Sequence, residues 1–201
     1  LLKPGTRIMA MVKAFSYGSG SFEIANLLQF HKVDYLAVAY IDEGIDLRIK
    51  GITLPIMVMN PESGNFKSLI EYNLQPEIYG FEGLKEFKLF LEKNDINDYP
   101  VHIKLDTGMH RLGFFETELE ELARELKSEH FRVISVFSHL VASEEKEHDK
   151  FTHEQIALFR KMADRLKQLI SGNFMMHILN SAGIERFVAD QMDMVRLGIG
   201  L

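Results

Sequence analysis

The chain has 201 residues, of which 46% are hydrophobic and 26% are charged, with a formal net charge of −6 and no cysteine. This composition indicates a globular protein with enough apolar material for one sizeable core. The negative charge and the lack of Lys/Arg blocks argue against nucleic-acid binding. The absence of cysteine excludes disulfides and thiolate metal sites, and is compatible with a cytoplasmic location. No apolar run approaches the ~18 residues of a membrane span, so we expect no membrane partner.

Short apolar runs, each predicted to be a buried strand, recur along the chain. They cover residues 7–14, 35–40, 55–60, 75–80, 101–106, 133–140, 174–180 and 194–201. Apolar residues at three- and four-residue spacing predict amphipathic helices over 21–32, 42–51, 83–94, 116–129 and 153–172. Buried strands alternating with helices indicate a parallel sheet covered on both faces. Closing eight such units gives a (β/α)8 TIM barrel; a doubly wound open sheet is the alternative.

Polar residues stand at or near the ends of five predicted strands, where the catalytic residues of a barrel cluster. In chain order they are Lys13; Lys104 and Asp106, followed by Arg111; His139; Asn180 and Ser181; and Arg196. We expect these side chains to face one mouth of the barrel.

Lys13 and Arg196 carry the clearest chemical signals. A lysine amine at the end of a buried strand loses hydration, which favours the uncharged form that bonds to an aldehyde. The alternative is a lysine whose stem packs while its head reaches solvent. Arg196 stays protonated, so within an apolar run it must find an acceptor.

The remaining candidates leave alternatives open. The segments 180–183 and 196–200 predict small turns that either bind a phosphate or are ordinary tight turns. His139 is a core histidine, a base or a ring stacked on a ligand. No metal site is expected, because there is no HExxH motif and His148 and His153 lie in a polar helical stretch.

Five motifs resemble, in order and spacing, the barrel domain of bacterial alanine racemase. They are MVKAFSYGSG, IKLDTGMHRLGF, SHLVASEE, LNSAG and MVRLGIGL. The resemblance covers the whole chain, 1–201, as one domain. It implies a pyridoxal 5′-phosphate (PLP) enzyme of fold type III that interconverts L- and D-alanine for peptidoglycan precursors. It also implies a homodimer of a longer chain, in which the last barrel helix and a C-terminal β-domain follow.

The resemblance assigns a role to each motif residue. Lys13 would bond to the cofactor aldehyde and act as one acid/base group; a tyrosine of the absent β-domain would be the other. Arg111 would contact the phenolic oxygen of the cofactor and place the substrate carboxylate, and Lys104, which can be carbamylated in the family, would hold Arg111. His139 would pack against the pyridine ring and Arg196 would face its nitrogen. The residues at the phosphate would be Tyr17, Asn180, Ser181, Gly198 and Ile199.

The sequence departs from the usual family pattern at Phe15, Ser16 and Ser19, and His110 occupies a slot that is usually glycine. The stretch VKAFSYGSGSFEIANLLQ resembles racemase domains fused behind a muramoyl-tripeptide D-alanyl-D-alanine ligase. We therefore expect a fragment of such a fusion. We also expect it to be inactive alone, because the β-domain that would carry the second acid/base group is absent. The alternatives are a non-catalytic PLP-homeostasis protein, or another fold-type III racemase or decarboxylase.

Overall fold

The computed structural model describes residues 1–13 and 20–198. Each of the eight predicted strands overlaps a strand of the structure. Their bounds are β1 Arg7–Met11, β2 Tyr35–Val38, β3 Ile56–Val58, β4 Gln75–Ile78, β5 Tyr99–Lys104, β6 Phe131–Phe137, β7 Met175–His177 and β8 Met194–Leu197.

Seven α-helices lie between the strands in the described ranges. They are α1 Ser21–Phe30, α2 Ile41–Ile49, α3 Phe66–Glu71, α4 Phe81–Lys93, α5 Leu119–Leu126, α6 Asp149–Ile170 and α7 Ser181–Arg186. Five were predicted. α3 was missed because six residues are too short to show a helical period. The turn predicted at 180–183 is wrong, since helix α7 begins there.

The strands follow one another in the order β7-β6-β5-β4-β3-β2-β1-β8. This order runs with the chain and sets the last strand beside the first. Together with the alternation of strands and helices, it confirms the predicted (β/α)8 barrel and rules out the doubly wound sheet, whose strand order reverses.

The chain divides into two compact units. The small unit comprises Arg7–Glu77 and Arg196–Leu201. Its strands β1 to β4 pair in parallel, and all three residues of β3 are fully buried. Burial on both faces is what a continuous apolar strand run predicts.

The large unit comprises Leu1–Thr6 and Ile78–Val195. Strands β5, β6 and β7 pair in parallel, with Lys104 opposite Phe137 and Phe137 opposite His177. The 22-residue helix α6 buries an apolar stripe that includes Phe159, Met162 and Leu166. No helix in the described part of the chain combines the length and apolarity needed to cross a bilayer.

Candidate functional site

Lys13 stands two residues beyond β1 and is half-buried. The adjoining backbone is fixed from two sides, because Val12 donates its N–H to the Ala37 carbonyl at 2.9 Å and accepts the Ser21 hydroxyl at 3.4 Å. Lys13 is thus attached to a fixed backbone at the carboxyl end of a buried strand, the position predicted from the sequence. Tyr17, Phe15, Ser16 and Ser19 lie outside the described residues.

Arg196 lies in β8 of the small unit and is 4% exposed. Burial lowers the pKa of its guanidinium to about 10, and the carboxylate of Glu77 opposes that shift. Glu77 is itself 1% exposed in β4. Arg196 therefore has a buried countercharge in the same unit. Gly198, also buried, follows β8, whereas Ile199 lies outside the described residues.

In the large unit, Lys104 ends β5 and is almost fully buried. The chain leaves at Asp106, forms a loop and returns at Phe114. There the Phe114 N–H donates to the Lys104 carbonyl at 3.0 Å, and the Asp106 N–H donates to the Phe114 carbonyl at 2.9 Å. The loop that carries Arg111 is therefore tied directly to the backbone of Lys104.

The interior of this loop is organised by Asp106 and by residues with positive φ. The Asp106 Oδ1 accepts the N–H groups of Gly108 at 2.8 Å and His110 at 3.1 Å. Gly113 has φ +124°, and a Cβ there would lie 2.7 Å from the Asp106 nitrogen, so only glycine fits. Arg111 is exposed at the outside of this loop. The structure thus fixes the loop, while the guanidinium stays accessible.

A buried polar row connects β5, β6 and β7. His102 Nδ1 lies 2.7 Å from Ser135 Oγ, which lies 2.9 Å from His177 Nε2. Burial lowers the pKa of His102 to about 3. The His177 ring stacks on Phe137 with an interplanar angle of 1°, and Lys104 Nζ is 5.7 Å from the centre of the same Phe137 ring. Lys104 therefore lies over the Phe137 ring, which stacks on His177, inside the large unit.

His139 lies two residues beyond β6 and is half-buried. Its carbonyl accepts the side-chain amide of Gln155 at 3.2 Å, and the Val141 N–H donates to the other end of that amide at 3.1 Å. Gln155 belongs to α6 and is 1% exposed. The loop after β6 is therefore bound to the helix that follows it.

Asn180 and Ser181 meet at the start of α7. The Asn180 Oδ1 accepts the Gly183 N–H at 2.9 Å and the Ser143 hydroxyl at 2.7 Å. Asn180 thus caps helix α7 and anchors the loop after β6, whereas the sequence predicted a small turn here. Arg186 strengthens the anchor by donating to the Ser143 carbonyl and to Asp149. Ser181, half-buried, is the first helical residue.

Over its whole length, residues 1–201, the sequence matches the family described as alanine racemase, N-terminal domain. The chain belongs to this family. It is 37% identical to alanine racemase 2 of Bacillus subtilis, covering 98% of this chain and 50% of that protein. The chain spans about half the length of the curated relatives it matches.

Solved alanine racemases share the fold. The enzyme of Clostridium difficile 630 superposes with a TM-score of 0.92 at 32% identity, covering 98% of this chain and 52% of that one. The alanine racemase of Bartonella henselae, which was solved with covalently bound pyridoxal phosphate, gives a TM-score of 0.84 at 25% identity, with coverages of 98% and 54%.

Four buried polar residues of this barrel were not predicted from the sequence: Glu77, His102, His177 and Gln155. The first three are polar residues inside apolar strand runs, which is the same signal that singled out Arg196. Gln155 gave no signal, because one buried polar residue on an amphipathic helix resembles any other. The described residues form no group of three or more His, Cys, Asp or Glu side chains able to hold a metal ion.

Proposed function

We propose that this chain is the cofactor-binding barrel of a PLP-dependent alanine racemase. The observation that carries the proposal is membership of the alanine racemase family over the full chain, with a half-buried Lys13 at the end of β1. The relatives named alanine racemase and the pyridoxal phosphate bound in the B. henselae structure support the same substrate and cofactor.

The residues present fit this cofactor chemically. Lys13 offers an amine on a fixed backbone, and Ser181 offers a hydroxyl at the first residue of α7. Arg196 offers a permanent charge that is already buried with a countercharge, Glu77. When bound, PLP supplies an aldehyde for covalent attachment and an electron-withdrawing ring that acidifies the Cα–H of the amino acid.

Each candidate residue has a distinct task in racemisation. Lys13 Nζ would hold the cofactor through its aldehyde and would move a proton at one face of the substrate Cα. Arg111 orients the substrate carboxylate through its guanidinium. Arg196 would disfavour protonation of the ring nitrogen, because two adjacent cations repel each other. His139 would pack against the ring, and a carbamylated Lys104 would hold Arg111.

The phosphate is assigned to the hydroxyls of Tyr17 and Ser181, the backbone of Gly198 and Ile199, and the neighbouring Asn180. These assignments rest on the family motifs. The same resemblance supports several properties of the whole protein. They are a tyrosine of a C-terminal domain as the second proton carrier, a homodimer, a cytoplasmic location, supply of D-alanine to peptidoglycan synthesis, and fusion to a muramoyl-tripeptide D-alanyl-D-alanine ligase.

Borohydride reduction of the PLP-loaded full-length protein, followed by peptide mapping, tests the cofactor site. We expect the reduced adduct on Lys13 and its loss in Lys13→Ala. Lys32→Ala, which removes an exposed lysine after α1, is the matched control and should retain the adduct. An adduct spread over surface lysines, or its persistence in Lys13→Ala, would contradict the proposal.

Racemisation is tested by exchange of the α-hydrogen of L-alanine in deuterated water, with formation of D-alanine. Preference for another amino acid would point to a different fold-type III racemase. Cofactor bound on Lys13 without exchange of any amino acid would point to a PLP-carrying protein.

A further inference from the structure

The side chain of Gln155 binds the loop after β6 to helix α6. The two ends of the Gln155 amide bond to backbone groups on either side of Leu140, namely the His139 carbonyl and the Val141 N–H. Leu140 is itself 1% exposed. The loop is therefore held by one buried apolar side chain and by hydrogen bonds to both of its flanking residues.

Gln155 is suited to this task because it is buried. Its side chain is shielded from water, so the backbone groups it satisfies would be costly to leave without a partner. A backbone carbonyl held from a long helix cannot rotate freely, and the carbonyl in question belongs to His139. Gln155 thus restrains the peptide bond that follows His139 from 16 positions away.

The same part of α6 also borders the loop that carries Arg111. A Cβ on Gly108 would lie 3.1 Å from Cζ of Phe151 and 3.7 Å from Cγ of Gln155. Gly108 also has φ +125°, a backbone conformation that favours glycine, so both the close contact and the backbone require glycine there. The first turns of α6 therefore support the two loops of the large unit that hold candidate functional residues.

We infer that Gln155 is the positioning residue for His139: it orients the imidazole for packing against the PLP ring by holding the His139 carbonyl. The inference rests on the proposed function, since it concerns the residue assigned to the ring. It extends that function by naming a group outside the motifs on which His139 depends.

The test uses two variants of the full-length protein. Gln155→Met keeps the length of the side chain and removes both hydrogen bonds. Gln155→Glu keeps the acceptor for Val141 and places a second oxygen against the His139 carbonyl. We expect PLP affinity, measured by absorbance titration, to fall on the order of tenfold in Gln155→Met. The loss should be smaller in Gln155→Glu, because its buried carboxyl can take up a proton and donate to the His139 carbonyl. The visible circular dichroism of the bound cofactor should change as well, because the ring loses its fixed neighbour.

Gln29→Met is the matched control. Gln29 also lies on a helix and accepts hydrogen bonds from loop N–H groups, those of Thr53 at 2.7 Å and Leu54 at 3.3 Å, but none of these residues is assigned to the cofactor. We expect a lower melting temperature of the apoprotein, as for Gln155→Met, with PLP affinity and visible circular dichroism unchanged.

A double-mutant cycle with His139→Ala separates positioning from general stability. If Gln155 acts through His139, Gln155→Met should weaken PLP binding much less in the His139→Ala background than in the wild type. Additive losses would overturn the inference, as would Gln155→Met binding PLP like the wild type. Wild-type protein that forms no adduct on Lys13 would instead overturn the proposed function, and this assignment with it.

Discussion

At the scale of single residues, the buried charges of the small unit are the most informative feature. Among the described residues, the only buried carboxylates are Glu77 and Asp106, and Asp106 is occupied by the N–H groups of its own loop. Glu77 thus supplies the buried negative charge of the unit that contains Arg196. A buried charge is tolerated when it is paired, and breaking the pair costs more than the pair contributes.

We predict that Glu77→Gln lowers the free energy of unfolding by about 3 kcal/mol, because it leaves the Arg196 charge buried without its countercharge. Urea denaturation measures this effect. The control is Asp46→Asn, which breaks the exposed Asp46–Lys50 ion pair and should cost less than about 0.5 kcal/mol. Equal effects of the two variants would show that Glu77 does not balance a buried charge.

At the scale of elements, the loop between β5 and α5 shows how a motif becomes a conformation. His110 has φ +53°, in the left-handed region where a Cβ is unfavourable. Glycine, which the resemblance leads us to expect at this slot, would adopt this conformation without strain. The His110 N–H donates to Asp106 within the tightly closed loop, so the backbone cannot move to relieve the residue.

We predict that His110→Gly gives a protein more stable than His110→Ala by about 1 kcal/mol, since the two variants differ by the Cβ that the left-handed conformation disfavours. Thermal or urea unfolding of both variants measures the difference. Ala157→Gly, at an exposed position within α6, should show the opposite sign, because glycine weakens an ordinary helix by about 1 kcal/mol. A more stable His110→Ala would contradict the strained geometry.

At the scale of the whole molecule, the buried His102 of the large unit should contribute to the response to acid. His102 is neutral in the folded state because burial lowers its pKa to about 3, while unfolding restores a pKa near 6.5. Between these values the unfolded state binds a proton that the folded state does not. The contribution of His102 to stability is therefore fully present above pH 6.5 and is lost as the pH falls towards 3.

We predict that this proton contributes ~1.4 kcal/mol per pH unit to the decline in stability between these values. His102→Asn, which can keep a hydrogen bond to Ser135, should flatten the decline by that slope in urea titrations at successive pH values. His31→Asn removes an exposed histidine and should leave the pH dependence unchanged. A wild-type slope in His102→Asn would show that His102 titrates normally.

The fold followed from the sequence because its signals are local. Strands covered on both faces need continuous apolar runs and helices need an apolar stripe, so eight strands and five helices could be placed by periodicity. Short α3 and α7 could not, because six residues span fewer than two turns. The motif residues could also be found from the sequence, because they stand at the ends of predicted strands. Parallel strands bring their carboxyl ends to the same edge of a sheet.

The sequence by itself determined the barrel, the racemase family and the residues that carry its motifs. Only the tertiary structure decided which residues support them. Glu77 supplies the countercharge of Arg196 from a strand more than a hundred positions away. Gln155 binds the loop that contains His139 from helix α6. Such pairings depend on long-range packing, in which a buried polar group must find a partner wherever the fold places one. The local sequence shows that a buried polar side chain needs a partner, and the tertiary structure determines which residue that partner is.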